Sequence, residues 1–347
     1  MRPESRKLFN QYRADMARLN AADNAAEQFT VAPSVEQTLE NRIQESSNFL
    51  QNVNSYGVRD LKGEKIGLSV GTTIASRTDT TTNDRVPTDP TELDGLYYEC
   101  KQTNFDTALR YSKIDQWSKF HDFQTRIRNA IVQQQGRDRL MIGFNGQRAA
   151  ATTNREANPL LQDVNIGWLK KLETNASARY MTRGKEAGQI RIGPGGDYVN
   201  LDELVYDMRS NLLQPWYSRD NGFISCVSAD LLDEKYFPII AAHSETPTEN
   251  EALNRMLSAK KLGGLGVAEV PFMPARTIFI SWLGKSGGSN ISIYWQEGSR
   301  RRTIVDNAKR DQVENYESVN EAYEIEDYGA ACAAANLVFP DGNGGWA

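Results

Sequence analysis

Apolar residues near the start of the chain repeat at helical spacing. Phe9, Tyr12, Met16 and Leu19 follow one another at steps of three or four, behind Pro3 at a favoured first helical position. This pattern predicts an amphipathic helix. Small polar residues at 20–26 follow it with the composition of a linker. Nothing in the pattern ties the helix to the rest of the chain, so we expect it to be detached.

A second helical pattern opens at Ser34. The order Ser-Val-Glu-Gln from that residue has the form of a capping box. The apolar residues behind it share one helical face and are Val35, Leu39, Ile43, Leu50 and Val53. The sequence therefore predicts a second helix, again with no obvious tie to the body.

The period changes to two after Lys62. Ile66, Leu68 and Val70 alternate with small residues, residues 77–96 are mostly polar, and alternation resumes from Phe105. We interpret 66–110 as a two-stranded arm with a polar tip. An isolated two-stranded ribbon is marginally stable and leaves both edges unpaired. The predicted arm should therefore lie on a neighbour.

A long helix is predicted behind the arm. Residues 112–115 read as another capping box, and Gly136 occupies the position expected of a C-cap. Such a helix of about 22 residues would be about 33 Å long, enough for the backbone of a domain. Its apolar stripe consists of Ile114, Trp117, Phe120, Phe123, Ile127, Ala130 and Ile131.

The second half of the chain alternates less regularly between helices and strands. Asn200 begins a capped helix, and helical patterns also occur at 229–236 and 249–261. Short strands are predicted at 223–227, 267–272, 277–283, 291–295 and 314–326. Strands and helices that come in runs favour an α+β fold over a doubly wound sheet. Residues 341–345 are predicted to be a flexible tail.

Composition narrows the function classes. The hydrophobic fraction is 39%, the mean hydropathy is −0.59, and no apolar stretch approaches the length of a membrane span. No secretory signal opens the chain, so we expect a product that stays in the cytoplasm where it is made. The net charge of −5 argues against tight nucleic-acid binding. Three widely spaced cysteines suit buried thiols and no zinc site.

Candidate chemistry is sparse. His121 and His243 have no metal-ligand spacing, and the chain contains no G-x-S-x-G motif. Residues 284–286 resemble part of a phosphate loop but precede a strand, and 193–196 lack dinucleotide-loop spacing. Both read as turns. We therefore predict no catalytic, cofactor-binding or metal site, and a protein that is not an enzyme.

Two charged groups admit alternatives. Glu324 and Glu326 share one face of a strand, as a solvated edge or as intersubunit salt-bridge partners. The basic run 300–302 is interpreted as a polar strand face that meets acids on a neighbour, with nucleic-acid contact as the alternative.

Several strings, in order along nearly the whole chain, resemble the major capsid proteins of the Peduoviridae, which have the Hong Kong 97 fold. They include Phe29-Thr30-Val31, Gln44-Glu45-Ser46-Ser47, Lys62-Gly63-Glu64-Lys65-Ile66-Gly67, Gly143-Phe144-Asn145-Gly146, Gly167-Trp168-Leu169, Lys235-Tyr236-Phe237-Pro238-Ile239 and Val313-Glu314-Asn315-Tyr316-Glu317-Ser318. The loop 182–189 and the C-terminal tail are least similar to the family.

The resemblance implies a structural protein of the virion. Copies would assemble in the host bacterial cytoplasm as hexamers and pentamers, closing an icosahedral shell around double-stranded DNA without sequence-specific binding. The implied partners are an internal scaffolding protein and protease and a portal protein at one vertex, with no cofactor and no membrane. The implied divisions are an N-terminal helix and linker (1–30), an N-arm (31–57), an extended hairpin loop (58–111), a peripheral domain with a spine helix (112–199), an axial domain (200–317), and a return to the peripheral domain with a tail (318–347).

The resemblance also implies roles for particular residues. Intersubunit contacts through the extended loop are expected from Ile66, Leu68, Val70, Arg77, Arg85, Phe105 and Arg110. The spine helix would carry Trp117, Phe120, Phe123, Ile127 and Ile131. Removal of the N-terminal segment is expected near Phe29 and Thr30.

Two other classes stay open at this point. A cytoplasmic α+β homo-oligomeric enzyme or binding protein would be supported by a pocket in which a histidine and an acid converge. A DNA-binding accessory protein would need a continuous basic stripe and a steep dependence on salt.

Overall fold

The computed structural model describes residues 1–65, 69–70, 75–87, 91–92, 97–117, 123–220, 222–234, 260–284, 288–341 and 345–346. Its helices are α1 (Pro3–Leu19), α2 (Pro33–Glu45), α3 (Tyr111–Trp117), α4 (Phe123–Asn145), α5 (Trp168–Asn175) and α6 (Leu201–Asn211). The strands of its first part are β1 (Phe29–Thr30), β2 (Asn54–Val58), β3 (Lys62–Glu64), β4 (Ser69–Val70), β5 (Thr91–Glu92), β6 (Tyr97–Glu99), β7 (Lys101–Asn104), β8 (Thr107–Arg110), β9 (Tyr180–Met181) and β10 (Ile190–Arg191). The later strands are β11 (Phe223–Val227), β12 (Lys261–Leu262), β13 (Leu265–Glu269), β14 (Ile278–Trp282), β15 (Ile291–Gln296), β16 (Arg301–Asn307), β17 (Gln312–Ile325), β18 (Ala331–Ala334) and β19 (Leu337–Val338).

The 14-residue strand β17 organises a seven-stranded sheet. Its order is β1-β16-β17-β15-β2, and β7 and β8 also pair with β17. β16 and β8 flank the first half of β17, while β15 and β7 flank the second half. The sheet therefore gathers strands from the N-terminal, middle and C-terminal parts of the sequence.

A six-stranded sheet forms the second layer of β-structure, in the order β12-β13-β11-β14-β18-β9. The two sheets share a core in which Phe144 and Trp168 pack edge to face, with ring centroids 5.2 Å apart. Trp168 also meets Tyr323 of β17, and Phe144 meets Phe279 of β14. The helices α4 and α5 thus join the two sheets.

The seven-stranded sheet extends across the implied domain boundary at residue 317. β15 and β16, which lie within 200–317, belong to the seven-stranded sheet, whereas β18 lies in the six-stranded sheet. The reason is that β17 runs without interruption through 317 to Ile325. The chain can change sheets only after that strand ends.

The predicted arm is a hairpin, but it is shorter than expected at its second end. β3 pairs with β6 and β4 pairs with β5, both antiparallel, and Lys62 faces Glu99 while Ser69 faces Glu92. The two ladders therefore share one register, and we call residues 62–99 the hairpin arm. The region 101–110, expected on the arm, instead forms β7 and β8 on β17. Alternation predicts a strand and does not specify its partner.

The long helix also differs from the prediction. The span predicted as one helix contains α3 and α4, with 118–122 outside the described residues, and α4 continues to Asn145. Gly136 is therefore interior to α4 and does not end it. A Cβ there would overlap the side chain of Ser46, so this glycine permits close packing against the end of α2.

Only one of the three predicted caps forms. Ser34 and Ser112 lie inside α2 and α3, and α2 begins at Pro33 behind an Ala32 that makes no side-chain cap bond. Asn200 does cap α6, because its Oδ1 accepts a hydrogen bond from the Glu203 N–H at 2.9 Å. The predicted helix at 249–261 lies outside the described residues except for 260–261.

The ends of the predicted tail are ordered against the body. Pro340 and Trp346 form a β-bridge, and the Arg191 guanidinium lies 5.6 Å from the centroid of the Trp346 ring. Of the predicted flexible tail, 341–345, the described residues 341 and 345 instead hydrogen-bond to each other, next to the bridge made by Trp346. The three cysteines are buried thiols, and burial raises the pKa of Cys100 to about 12.

Candidate assembly site

The N-terminal helix is docked on the seven-stranded sheet and is not detached as predicted. Phe9 of α1 is 7% exposed and packs in an apolar cluster with Tyr111, Ile304 and Val313. The apolar spacing that predicted the helix therefore also marks its docking face. No feature of the sequence indicated where this face would bind.

Polar contacts fix the position of α1 on the sheet. Asp306 of β16 accepts hydrogen bonds from Arg6 and from the Tyr111 hydroxyl. Burial works to raise the pKa of Asp306, but the bonds from Tyr111 and Arg6 outweigh it, so the pKa is lowered. Arg302 donates to the Tyr12 hydroxyl at 3.0 Å. Asp306 is consequently a charged anchor for the helix.

Phe29 and Thr30, the residues expected near N-terminal removal, lie in β1. Phe29 pairs with Arg302 and Thr30 with Arg301, antiparallel, at the edge of the seven-stranded sheet. Phe29 is 9% exposed, whereas Thr30 is exposed. The backbone at this position is therefore engaged in sheet pairing.

Six buried charged side chains connect α2, α4 and the seven-stranded sheet. We call them the ion cluster: Glu36, Glu40, Arg139, Arg300, Glu317 and Glu321. Each is at most 4% exposed. Four carboxyl groups thus share two guanidinium groups away from solvent. Loss of either guanidinium group would leave buried carboxylates without a partner, which is strongly destabilising.

Arg300 lies at the centre of one half of the cluster. It donates to Glu317 of β17 and to Glu40 of α2, and its Nε is 3.9 Å from Oε1 of Glu36. The predicted role of the basic run was to meet acids on a neighbour. Arg300 does meet acids, and those acids belong to its own chain. Arg301 is exposed.

Arg139 of α4 forms the other half. Its Nη1 and Nη2 donate to the two oxygens of Glu40 at 2.7 and 2.9 Å, and its Nε donates to Glu321 at 3.0 Å. The helical face predicted for α2 carries Val35, Leu39 and Ile43, and of these Ile43 is buried while the other two are half-buried. The helix also buries its two acids, Glu36 and Glu40. Glu36 and Glu40 are one helical turn apart, and nothing in the sequence alone indicated that they are buried.

The pKa values of the two glutamates of α2 are shifted in opposite directions. Burial raises the pKa of Glu36, against the opposing hydrogen bond from the Gly298 N–H and the charge of Arg300. For Glu40 burial acts in the same direction, but the charges and hydrogen bonds of Arg139 and Arg300 outweigh it and lower the pKa. The charged form of Glu40 is therefore stabilised by its partners and holds α2 to them. The charge of Glu36 is only weakly compensated by its surroundings.

Glu324 is buried and pairs within its own chain, whereas the sequence pattern offered a solvated edge or an intersubunit salt-bridge partner. It is 1% exposed and pairs with Lys65, with Nζ and Oε2 3.3 Å apart, and with Lys171. Glu326 lies just beyond β17 and accepts hydrogen bonds from Ser292 and Tyr294. The two acids that the sequence pattern grouped together therefore serve different contacts within one chain.

The tip of the hairpin arm is exposed. Asp79 closes it, because its Oδ1 accepts a hydrogen bond from the Thr81 N–H at 3.0 Å. Arg77 and Arg85 flank this turn and are exposed, as an intersubunit role requires. Val86 is 83% exposed and adds an apolar side chain to the tip.

The remaining residues assigned to the arm and spine are distributed differently. Phe105 lies between β7 and β8, and Arg110 ends β8, so both belong to the body and not to the hairpin arm. Phe105 is buried against Trp295 and Val319 of its own chain. Ile127 and Ile131 of α4 are half-buried. Ile66, Leu68 and Phe120 lie outside the described residues, as do the side chains of Val70, Trp117 and Phe123.

The described residues offer little to a small-molecule chemistry. An open polar groove of about 190 Å³ lies beside β1, lined among others by Gln28, Asp106 and Arg301. Within the described part of the chain, no group of three histidine, cysteine or acidic side chains could hold a metal ion. Both histidines lie outside those residues. In the same ranges no helix is long and apolar enough to cross a membrane.

Comparison with known proteins relates this chain to phage capsid proteins. The family model of the phage major capsid protein, P2 family, matches residues 8–337. The capsid protein of Escherichia phage P2 is 44% identical, covering 98% of this chain and 96% of that protein. The major capsid protein of Serratia phage KSP20 is 35% identical, covering 97% and 96%. A chain of the satellite phage P4 procapsid structure, which includes the size determination protein Sid, superimposes with a TM-score of 0.80 at 43% identity, covering 98% of this chain and 99% of that one.

The fold is therefore that of a phage capsid protein. More particularly, the chain belongs to the P2 family of phage major capsid proteins. It is a structural component of the virion of a tailed phage, and the predicted α+β class and family resemblance are confirmed. This result favours the capsid interpretation over the alternative of a cytoplasmic enzyme or binding protein.

Proposed function

We propose that copies of this chain form hexamers and pentamers that close into an icosahedral shell around double-stranded DNA, with the hairpin arm as a principal contact between neighbours. The observation that carries this proposal is the arm itself. It projects two paired strands and an exposed tip that carries Arg77, Arg85 and Val86. A two-stranded ribbon with unpaired edges gains stability when a second copy covers it.

The charge balance suits a container. The net charge of the chain, −5, disfavours tight binding to packaged DNA. Buried thiols with raised pKa values suit assembly in the reducing cytoplasm of a host bacterium. An internal scaffolding protein and protease, and a portal protein at one vertex, complete the proposed set of partners.

N-terminal removal near Phe29 and Thr30 belongs to this proposal. Because β1 is paired with β16, a protease needs that edge to open before it can bind the chain in extended form. The segment would therefore be cut from a state in which β1 has separated from β16. The intact mass of the chain in purified particles tests the removal: a mass that retains residues 1–30 contradicts it.

The arm is tested by deletion of residues 78–92. We expect soluble, folded subunits that form no closed shells, as seen by electron microscopy and circular dichroism. Shortening the exposed loop 185–188 is the matched control and should leave shells intact. Normal shells from the arm deletion would contradict the proposed role of the arm.

A further inference from the structure

Lys65 connects the root of the hairpin arm to the body. It follows directly after β3, and its side chain is 4% exposed. Its Nζ donates to the carbonyl oxygen of Ile325 at 2.8 Å and lies 3.3 Å from Oε2 of Glu324. The same ammonium group lies 4.4 Å from the centroid of the Tyr328 ring, a cation–π distance. A buried cation on the arm thus binds the C-terminal end of β17.

Helix α5 also contacts Glu324 and Tyr328, the two side chains that Lys65 meets. Lys171 of α5 pairs with the same carboxylate, that of Glu324. Asn175, also of α5, donates from Nδ2 to the Tyr328 hydroxyl at 2.7 Å. Because α5 fixes both groups independently of the arm, the site that receives Lys65 is preorganised.

The second strand of the arm is rooted by packing. Tyr98 is 5% exposed and meets the Tyr294 ring edge to face, with centroids 5.1 Å apart. Lys62, three residues before Lys65, differs in kind: it pairs with Glu99 on the opposite strand of the arm and is 64% exposed. Its ion pair joins arm to arm, whereas that of Lys65 joins arm to body.

We propose that Lys65 is the positioning residue that fixes the direction in which the hairpin arm leaves the body, and thereby lets the tip reach a second copy of this chain. This inference rests on the proposed contact role of the arm. A two-stranded ribbon is anchored only where it meets the body, so a small change of angle at its root displaces the tip by far more. A different angle would separate the buried Lys65 ammonium group from Glu324 and from the carbonyl oxygen of Ile325. Leaving a buried charge without its partner is costly, so these contacts restrict the angle.

The test compares three methionine variants in the full chain. Lys65→Met removes the arm-to-body cation, Lys171→Met removes the other cation on Glu324 without touching the arm, and Lys62→Met removes the exposed cation of the arm. Spin labels at Thr80→Cys, in the tip, and Glu173→Cys, on α5, report the direction of the arm through their distance distribution in unassembled subunits. The native cysteines are buried and will not react. Electron microscopy then counts closed shells formed by the unlabelled variants.

We expect Lys65→Met to broaden the distance distribution and to lower the yield of closed shells about tenfold or more, since loss of one partner from a buried ion pair is severe. Lys171→Met, which loosens Glu324 but leaves Lys65 in place, should broaden the distribution less, and Lys62→Met should leave it unchanged. Lys65→Arg should restore both the distribution and the shell yield. An unchanged distribution in Lys65→Met, or equal broadening in Lys62→Met, would overturn the positioning role. A broadened distribution with normal shell yield would overturn the link to assembly and would count against the proposed function of the arm itself.

Lys65→Met can fail to fold, and Lys65→Gln covers that case. Glutamine keeps a donor for the carbonyl oxygen of Ile325 but loses the charge that pairs with Glu324. A broadened distribution in Lys65→Gln supports the proposal. A distribution as narrow as that of the unmodified chain refutes it.

Discussion

Arg139 binds both carboxylate oxygens of Glu40, at 2.7 and 2.9 Å, and so joins the long helix α4 to the second helix, α2. Both side chains are buried, and the Arg300 guanidinium reaches the same carboxylate from the seven-stranded sheet. Bidentate pairs of this kind fix geometry as well as charge. Helix α2 is thereby held to the body through specific partners, which single substitutions can remove.

Removal of one cation from the ion cluster should strongly lower the free energy of unfolding. Arg300→Met leaves Glu40 and Glu317 without one of their partners in a buried site, which typically costs about 3–5 kcal/mol. Arg301→Met, one residue further on and exposed, should change the free energy of unfolding by less than about 0.5 kcal/mol. Urea denaturation of the purified chain measures both. Equal effects of the two variants would contradict the cluster's importance.

The two glutamates of α2 should respond in opposite ways to neutralisation. At pH 7 we expect Glu40→Gln to lower the free energy of unfolding by about 3 kcal/mol, because the substitution breaks a buried ion pair. Glu36→Gln should be neutral or stabilising, because burial raises the pKa of Glu36 and its charge is weakly compensated.

The pH dependence follows from the direction of each shift. The lowered pKa of Glu40 means that its contribution is present above the unfolded value, about 4.3, and is lost as pH falls through the lower folded pKa. The loss caused by Glu40→Gln should therefore shrink in acid. The raised pKa of Glu36 favours the folded state only at low pH, so the gain from Glu36→Gln should appear as pH rises. Unfolding curves from pH 3 to 8 measure both trends, and parallel trends would refute the assignment.

Docking of α1 should depend on Phe9. Phe9→Ala removes a buried ring from the contact with Tyr111, Ile304 and Val313, with an expected cost of about 3 kcal/mol. Leu19→Ala is the matched control, since Leu19 of the same helix is 58% exposed. Hydrogen exchange should show loss of protection over residues 3–19 in the first variant alone. Full protection of α1 in Phe9→Ala would contradict its docking by this residue.

Gly143 allows α4 to pack on Trp168. A Cβ at Gly143 would overlap the indole ring, whereas one at Gly266 of β13 meets nothing within 4 Å. We expect Gly143→Ala to cost about 1–3 kcal/mol through overpacking, despite the better helix propensity of alanine. Gly266→Ala should be neutral. Thermal unfolding compares the two, and a stabilised Gly143→Ala would show that the helix can shift away.

Local patterns in the sequence predicted elements better than they predicted contacts. The period of two correctly located the start of the hairpin arm, but it could not tell that 101–110 pair with β17, since alternation carries no information about the partner strand. Likewise the spacing of Phe9 predicted α1 without its docking site. Gly136 had the appearance of a C-cap because a glycine that permits close packing looks the same in sequence.

The ion cluster lay beyond sequence reasoning altogether. Acids at Glu36 and Glu40 are ordinarily solvated on a helix face, and only the fold brings Arg139 and Arg300 to them from about 100 and 260 residues away. The family resemblance succeeded where periodicity failed, because it drew on strings spread over the whole chain.

Electron microscopy of the purified, unmodified chain tests the central claim most directly, namely that this protein works by associating with copies of itself. We expect closed icosahedral shells in which density for residues 62–99 of one copy contacts another. A chain that stays monomeric under all assembly conditions, or shells in which the hairpin arm contacts only its own subunit, would contradict the account.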